Sequence, residues 1–406
     1  MKLDELQYDL PPERIAQYPA GARDASRLLV LNRRDGRCRH ETFKALPGLL
    51  PPRSLLVLND TRVLPARLRL RRRSGGRIEG LFIQEPQAGT WEIMLAESRR
   101  LRTGESLVLE PGDQQLRLIE RQEAGIWRAR PEPPGDALEL LARYGRPPLP
   151  PYIKRPNGAG GEAEGTTTGQ GMDAPAKENR PGDKGTRRQG EPPGTGMEKV
   201  ETSGAEAAEP AVSGPPARPP HPPSDAERYQ TIYARRPGAI AAPTAGLHFT
   251  PEVFAALADA GVETACVTLH VGVGTFAPIR TDDLADHVMH AEWYECPEAT
   301  AAAVNAARAQ GRPVAAVGTT SVRVLESCAD AAGRVTAGTG WTRLFIYPPY
   351  SFKVVDVLLT NFHLPGSTLL AMIFAFAGRE RTLAAYREAI EGGYRFYSYG
   401  DAMLIL

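Results

Sequence analysis

The stretch 314–330 reads Val314-Ala315-Ala316-Val317-Gly318-Thr319-Thr320-Ser321-Val322-Arg323-Val324-Leu325-Glu326-Ser327-Cys328-Ala329-Asp330. Its first four residues are a short apolar run, which predicts a buried strand over Val314–Val317. The polar residues after this strand lead into a predicted helix over Ser321–Asp330. A strand that leads directly into a helix is the repeating unit of α/β proteins, so the stretch predicts an α/β fold.

The alternation of strands and helices continues on both sides of this stretch. A capping box at Ser224-Asp225-Ala226-Glu227 predicts a helix that continues through Tyr233. Thr250-Pro251 predicts a second helix, which ends at Gly261. The other elements predicted here are the strand Val262–Val271, the helix Pro297–Gln310, the strands Leu344–Tyr347 and Val355–Phe362, and the helix Ser367–Phe376. The strand Ser54–Asn59 fits the same pattern, so we expect the opening segment to join this domain.

A second unit of short strands interrupts the α/β pattern between Arg67 and Arg130. Its alternating runs are Arg77–Glu85, Thr90–Glu97, Glu105–Glu110, Gln115–Arg121 and Ile126–Arg130, separated by turn residues. Short strands at this spacing predict a small barrel or sandwich. A helix over Asp136–Tyr144 follows it, and we expect the whole unit to be inserted into the α/β domain.

The segment 156–223 differs in composition from the rest of the chain. It contains no Leu, Ile, Phe, Tyr or Trp and is rich in Gly, Pro, Glu, Thr and Ala. Such a segment cannot bury enough apolar surface to offset the entropy lost on ordering. The sequence therefore predicts a disordered, low-complexity insertion.

The overall composition excludes several classes of protein. Of the 406 residues, 42% are hydrophobic, and 49 Lys+Arg nearly balance 48 Asp+Glu, so any basic surface must be local. The four cysteines lie far apart and no signal peptide is visible, which favours reduced thiols in the cytoplasm and no metal site. The longest apolar run, Leu369–Ala377, is shorter than the roughly 20 residues that a membrane span needs.

Polar residues gather where predicted strands end or helices begin, which is where active-site residues collect in α/β proteins. The first group, Asn59, Asp60 and Arg62, follows an apolar strand, although a capped turn explains it equally well. The second group runs from Ala242 to Phe249, just before a predicted helix, and includes Thr244 and His248. A lone histidine in this position is as often structural as functional.

Two further groups lie at the starts of the predicted helices that follow the strands Val314–Val317 and Val355–Phe362. Thr319, Thr320 and Arg323 surround a helix start whose free N–H groups can hold an anion, although Thr at such a position is more often a helix cap. Asn361 and His363 end a strand beside another helix start. Both groups are candidates for substrate binding or proton transfer.

A fifth group runs from Met289 to Glu295. Its alternation places Glu292 and Tyr294 on one face of a strand, where a carboxylate near aromatic rings could act as a base. A solvated strand edge explains the same pattern equally well. The sequence leaves both interpretations open.

A glycine-rich turn follows the strand Val262–Val271. Gly272, Gly274 and Thr275 belong to a stretch that fits the dinucleotide-binding pattern G-x-G-x-x-G/A. Pro278 and Thr281 place the next helix start beyond the glycines, so bound phosphates would miss its N-terminus. The turn therefore fits a dinucleotide site poorly, and that interpretation is the less favoured one.

Arginines are concentrated at the start of the β-rich unit. In Arg67-Leu68-Arg69-Leu70-Arg71 the alternation places the arginines on one strand face, where Arg69 and Arg71 could contact RNA phosphates. The alternative is a charged edge strand that resists aggregation. RNA contact is the favoured interpretation.

Taken in order along the chain, the polar groups resemble the S-adenosylmethionine:tRNA ribosyltransferase-isomerases of queuosine biosynthesis. The matching stretches are Tyr8–Pro11, Ile15–Pro19, Val57–Val63, Ala241–Thr250, Thr268–Phe276, His290–Tyr294, Val317–Arg323, Thr360–Thr368 and Tyr399–Met403. They cover the chain apart from the segment 156–223. The resemblance implies a larger, barrel-like α/β domain with a smaller all-β barrel inserted into it.

The resemblance also implies the reaction. The ribosyl part of S-adenosylmethionine is moved onto 7-aminomethyl-7-deazaguanine in tRNA and isomerised, which gives epoxyqueuosine with loss of adenine and methionine. S-adenosylmethionine is then a co-substrate, with no prosthetic group, metal or membrane, and the enzyme is expected to be a cytoplasmic monomer. The domains implied are 1–65 with 224–406 for catalysis, 66–151 for the β-barrel, and the insertion 156–223.

The chemistry of this reaction assigns the candidate residues to tasks. The sulfonium makes the adjacent C5′ proton acidic, so the enzyme needs a general base, a proton donor for adenine and polar groups for the ribose and the methionine carboxylate. The candidates for proton transfer are His248, His363 and Glu292. The candidates for holding the co-substrate are Thr319, Thr320, Arg323, Gly272, Gly274 and Thr275, and those for the ribose, base or RNA are Asn59, Asp60, Arg62, Thr244, Asn361, Arg69 and Arg71.

Two other functions stay open on the sequence alone. An S-adenosylmethionine-dependent RNA methyltransferase would need a better glycine-rich loop than Gly272–Ala277. A non-catalytic RNA-binding protein would not need five polar groups at strand ends. Labelled co-substrate separates the three, because ribosyl transfer releases adenine, methylation releases S-adenosylhomocysteine, and binding alone releases neither.

Overall fold

The computed structural model describes residues 1–155, 224–276 and 279–406. The strands are β1 (Arg27–Leu31), β2 (Cys38–Thr42), β3 (Leu55–Asn59), β4 (Thr61–Val63), β5 (Arg67–Arg72), β6 (Arg77–Gln87), β7 (Thr90–Leu95), β8 (Ser106–Glu110), β9 (Gln115–Arg121), β10 (Ile126–Glu132), β11 (Arg236–Ala239), β12 (Glu263–Leu269), β13 (Glu292–Cys296), β14 (Val314–Val317), β15 (Gly338–Thr342), β16 (Val357–Asn361) and β17 (Ala402–Ile405). The α-helices are α1 (Leu46–Leu49), α2 (Ala137–Tyr144), α3 (Asp225–Arg228), α4 (Pro251–Asp259), α5 (Glu298–Ala309), α6 (Gly318–Cys328), α7 (Thr368–Ala377) and α8 (Arg379–Glu391).

The larger sheet is mixed and has a parallel centre. Its strand order is β15-β13-β12-β3-β14-β16-β17-β1-β2. The four central strands β12, β3, β14 and β16 run parallel, with Leu55 opposite Val314 and Ala316 opposite Leu358. Their carboxyl ends therefore lie at one edge of the sheet, where open α/β sheets bind their ligands.

Both faces of this parallel centre are buried, which explains the continuous apolar runs of its strands. Val314 and Ala316 of β14 belong to one hydrophobic core, together with Val322 of α6. The alternate residues Ala315 and Val317 belong to a second core that includes Phe249 and the α4 residue Val253. Successive side chains of a strand point to opposite faces, so β14 separates two cores.

The strands β5 to β10 form a closed antiparallel barrel in the order β10-β7-β6-β5-β8-β9. Alternate residues of each strand are buried, and the interior is filled by residues such as Leu68, Trp91, Leu107 and Trp127. Gly80 of β6 faces this interior, where an added Cβ would lie 2.7 Å from a Leu70 methyl group. The interior of the barrel is thus a packed core.

The predicted fold class, α/β with a smaller all-β barrel, is confirmed. The helix predicted through Tyr233 is wrong in its length, because α3 ends at Arg228 and the ring of Tyr229 is buried against Tyr399. The strand predicted over Leu344–Tyr347 is also wrong, and the strand β15 lies just before it. The Leu344 carbonyl oxygen instead accepts a hydrogen bond from the Arg323 side chain.

The domain boundaries drawn from the sequence remain a prediction. The barrel strands span Arg67–Glu132, and the strands of the larger sheet come from the chain before and after them. The segment 156–223, for which the sequence predicts disorder, lies outside the described residues.

Candidate active site

A cavity lies at the carboxyl edge of the parallel strands. Residues that directly follow β14 and β16 line it, and so do residues after β12. Eight of the predicted site residues lie on its wall: Thr244, Gly274, Glu292, Thr319, Thr320, Arg323, Asn361 and His363. Groups that are distant in the sequence therefore meet in one place.

A buried ion pair forms part of the wall. The Arg323 guanidinium donates through Nη1 to Oε2 of Glu292, and each residue is only 5% exposed. Arg323 also donates to the carbonyl oxygens of Thr342 and Leu344, and the Gly272 N–H donates to Oε1 of Glu292 at 2.9 Å. The strand β13 lies between β12 and β15, so the alternative of a solvated strand edge for Glu292 is wrong.

The N-terminus of α6 opens onto the same cavity. The helix begins at Gly318, whose φ of +81° suits glycine, and no side chain caps it. The N-cap residue is Val317, so the alternative that Thr319 or Thr320 caps the helix is wrong, and both threonines line the cavity. The Thr320 hydroxyl is buried and has no hydrogen-bond partner among the residues that the structure describes. Free N–H groups and a free hydroxyl together suit a carboxylate.

His363 lies on the cavity wall just after β16. Its Nε2 is 2.9 Å from Oγ1 of Thr360, which itself donates to the Asn361 carbonyl oxygen. The Thr360 hydroxyl then accepts from Nε2–H, which leaves the lone pair on Nδ1. Burial lowers the pKa of His363 to about 3, so its imidazole is neutral at neutral pH.

His248 lies behind this wall and reaches it through Asn361. Nε2 of His248 is 3.5 Å from the Asn361 side-chain nitrogen, and its Nδ1 is 2.8 Å from the Ser26 hydroxyl. Asn361 in turn accepts a 2.7 Å hydrogen bond from Thr244. Burial lowers the pKa of His248 to about 4. The lowered pKa values of His363 and His248 keep both candidate histidines neutral at neutral pH.

The group at the end of β3 is placed away from the cavity wall. Asn59 donates to the Leu269 carbonyl oxygen and accepts from the N–H groups of Leu269 and Thr61, so its amide joins β3 to β12. Asp60 accepts a 2.6 Å hydrogen bond from Thr268, and Arg62 is exposed on β4. Their proposed contact with the sugar gains no support from this placement.

The glycine-rich turn is a short 3-10 helix, Val273–Phe276, so it lacks the α-helix that a dinucleotide site requires. Gly274 packs against His290, and an added Cβ there would lie 2.6 Å from the imidazole ring. Thr275 lies in the same turn.

The arginines of β5 point outward from the barrel as the alternation predicts. Nε of Arg69 lies 3.6 Å from Oε1 of Glu79 on β6, and Nε of Arg71 lies 3.1 Å from Oε1 of Glu110 on β8. The alternative of an edge strand is wrong, because β5 is paired on both sides. A separate groove on the barrel is lined by Arg67, Arg99 and Arg121, none of which has an ion-pair partner within the described parts of the chain.

Sequence reasoning missed several residues of the cavity wall. Tyr152 and Tyr397 lie edge to face with ring centroids 3.9 Å apart, and the Tyr152 hydroxyl is 2.5 Å from Oγ of Ser398. His287 and His290 also line the cavity. Tyr397 and Ser398 directly precede the matching stretch Tyr399–Met403, and this proximity was the available signal for them.

In the described residues, no group of three or more His, Cys, Asp or Glu side chains is arranged to hold a metal ion. No helix there is long and apolar enough to span a membrane.

Comparison with known proteins identifies related chains. A family model described as "Queuosine biosynthesis protein" matches residues 3–169 and 197–405. The chain is 44% identical over 410 residues to the S-adenosylmethionine:tRNA ribosyltransferase-isomerase of Moorella thermoacetica, covering 100% of both chains. It is 43% identical over 412 residues to the protein of the same name from Thermus thermophilus, covering 100% of this chain and 99% of that one. A crystal structure of an S-adenosylmethionine tRNA ribosyltransferase from Thermotoga maritima is 32% identical, with a TM-score of 0.49 and coverage of 99% of this chain and 100% of that one.

Proposed function

The chain belongs to the queuosine biosynthesis family of S-adenosylmethionine:tRNA ribosyltransferase-isomerases, and from that premise we propose how its cavity carries out the reaction. The enzyme is a transferase that uses S-adenosylmethionine and tRNA as substrates. The reaction needs one site for the methionine end of the co-substrate, one group that accepts the C5′ proton, and a space for the nucleobase that receives the ribosyl group. Each of these is assigned to a part of the cavity below.

The methionine end of S-adenosylmethionine binds at the N-terminus of α6. The observation that carries this proposal is the uncapped helix start at Gly318 beside the Thr320 hydroxyl, which has no hydrogen-bond partner in the described chain. The α-carboxylate accepts from these donors, and the positive end of the helix dipole stabilises it. The ion pair of Glu292 and Arg323 lies beside this position, and its two charges complement the ammonium and carboxylate of an amino acid.

His363 accepts the C5′ proton through Nδ1. It lies on the cavity wall, its neutral ring carries a lone pair, and Thr360 fixes the tautomer. A neutral imidazole with a lowered pKa is a weak base, but the sulfonium already makes this proton acidic. His248 acts as a positioning residue, because its contact with the cavity is the hydrogen bond to Asn361.

The nucleobase enters the aromatic side of the cavity, where Tyr152 and Tyr397 offer ring edges and faces. Bases extruded from an RNA loop are commonly held between aromatic side chains. Asn361 and Thr244, which are bonded to each other, supply polar groups at the same wall. The barrel groove with Arg67, Arg99 and Arg121 offers positive charge to the body of the tRNA.

We further propose that the enzyme acts as a monomer in the cytoplasm and needs no prosthetic group. The assignments made above for the methionine end, the C5′ proton and the nucleobase all use residues of one chain, so none of them requires a second copy. Light scattering during size-exclusion chromatography measures the molar mass, and a dimer would contradict this part of the proposal.

One experiment tests the assigned function directly. The enzyme is incubated with tRNA that carries 7-aminomethyl-7-deazaguanine and with S-adenosylmethionine labelled in the adenine. Release of free adenine together with methionine is the expected result. Release of S-adenosylhomocysteine would instead identify a methyltransferase, and no turnover would identify a binding protein.

A further inference from the structure

A second, smaller cavity shares the residue Ser398 with the cavity described above. Three arginines converge on it, Arg23, Arg228 and Arg395, and we call this cavity the arginine pocket. His248 also lines it. The arginine pocket is thus adjacent to the reaction site, and none of the assignments above uses it.

Two of the three arginines carry charges that no carboxylate balances. Arg395 pairs with Asp401 at 3.3 Å, whereas Arg23 and Arg228 have no Asp or Glu within 4.0 Å in the part of the chain that the structure describes. The nearby Asp225 is already held by Arg155 through two hydrogen bonds of 2.8 Å. The pocket therefore has an excess of positive charge.

The hydrogen bonds of these arginines hold their positions without neutralising them. Arg23 donates to the carbonyl oxygens of Leu247 and Glu227, and Arg228 donates to those of Ala20 and Gly21. Arg228 is only 9% exposed, and its buried Nε has no acceptor among the described residues. Burial lowers the pKa of both side chains, and for Arg23 the charge of Arg228 lowers it further. Two like charges held together at partial burial favour an anion that would bind between them.

We propose that the arginine pocket binds a backbone phosphate of the tRNA, next to the nucleotide whose base enters the larger cavity. This inference rests on the proposed function. A phosphodiester is a compact anion that accepts several hydrogen bonds, which matches the forked donors of arginine. Each base in an RNA strand is flanked by phosphates, so a base in the cavity brings a phosphate to its neighbourhood. The methionine carboxylate, the anion of the co-substrate, already has its own donors at α6.

The test measures how the affinity for tRNA depends on salt. Each phosphate contact adds about 0.7 to 0.9 to the slope of log K against log salt concentration. We expect Arg228→Gln to lower the slope by about that amount and to weaken tRNA binding, with the Kd of S-adenosylmethionine unchanged. Arg228→Lys keeps the charge and should restore most of the slope. Arg23→Gln, at a less buried position, provides a second variant if Arg228→Gln fails to fold.

Arg312→Gln is the matched control. Arg312 is also 9% exposed and its Nε is also without an acceptor in the described chain, but it pairs with Glu263 at 3.0 Å and lies outside the pocket. If Arg228 has only a structural role, Arg228→Gln and Arg312→Gln will both keep the wild-type salt slope, and that result would overturn the proposal. An increase in the Kd of S-adenosylmethionine, with no change in slope, would overturn it too and assign the pocket to the co-substrate. A wild-type enzyme that neither binds the tRNA nor releases adenine would contradict the proposed function itself.

Discussion

The guanidinium of Arg323 on α6 and the carboxylate of Glu292 on β13 form a buried ion pair on the wall of the larger cavity. The two residues are 31 positions apart in the sequence. Breaking a buried pair leaves one charge without compensation in a medium of low dielectric constant. Loss of the pair should therefore affect both the stability of the fold and the activity, and a second substitution can separate the two effects.

We expect Glu292→Gln to lower the free energy of unfolding by about 3 to 5 kcal/mol, the usual effect of removing one partner of a buried pair. The double variant Glu292→Gln/Arg323→Met removes the uncompensated charge and should recover much of that stability without recovering activity. Urea denaturation and adenine release measure the two effects. A double variant that regains turnover would show that the pair only supports the fold.

His363 and His248 should differ in their effect on catalysis. We expect His363→Ala to reduce kcat by about 100-fold or more, the usual scale for losing a general base, with little change in the Kd of S-adenosylmethionine. His248→Ala should have a smaller effect, because His248 reaches the cavity through Asn361. Single-turnover kinetics measure both. If both variants react at the wild-type rate, neither histidine takes the proton and Glu292 becomes the leading candidate.

Stability should fall as the solution is acidified. Burial lowers the pKa of His363 to about 3 and those of His248 and His270 to about 4, below the value of about 6.5 expected in the unfolded chain. Below pH 6.5 the unfolded state then binds more protons than the folded state does. The stability that the neutral, buried histidines contribute is therefore complete above pH 6.5 and is lost as the pH falls toward 3. Denaturant unfolding between pH 7 and pH 4 measures the slope. His363→Asn should flatten it, and an unchanged slope would argue that this ring is not buried in the neutral form.

The sequence predicted elements whose patterns are local. The strands of the barrel follow from alternating side chains and turn residues, and the approach of Thr319 and His363 follows from parallel strands whose carboxyl ends share an edge. The ion pair of Glu292 with Arg323 could not be predicted, because it depends on which strand lies beside α6. For the same reason, the sequence showed a run of arginines but not the acids opposite Arg69 and Arg71 on the neighbouring strands.

Two sets of arginines on the barrel should contribute differently to tRNA binding. We expect Arg99→Gln/Arg121→Gln to lower the salt slope of tRNA binding by more than one unit, because these groove residues have no acidic partner in the described chain. Arg69→Gln/Arg71→Gln should lower it by less, since Glu79 and Glu110 already offset part of their charge. Equal slopes for both double variants would contradict this ranking. An unchanged slope for Arg69→Gln/Arg71→Gln would assign those residues to stabilising the barrel.

Replacement of the segment 156–223 by a short Gly/Ser linker should leave turnover and melting temperature nearly unchanged. The segment contains no Leu, Ile, Phe, Tyr or Trp. The residues on either side of it already lie together, because Arg155 holds Asp225 through hydrogen bonds of 2.8 Å. A short linker can therefore close the chain at little entropic cost. The family match omits only 170–196 within this region, so deletion of 170–196 alone is the milder control. Calorimetry and adenine release measure both variants. Loss of folding in the full replacement, with a normal 170–196 deletion, would show that the flanking parts 156–169 or 197–223 contribute to the folded enzyme.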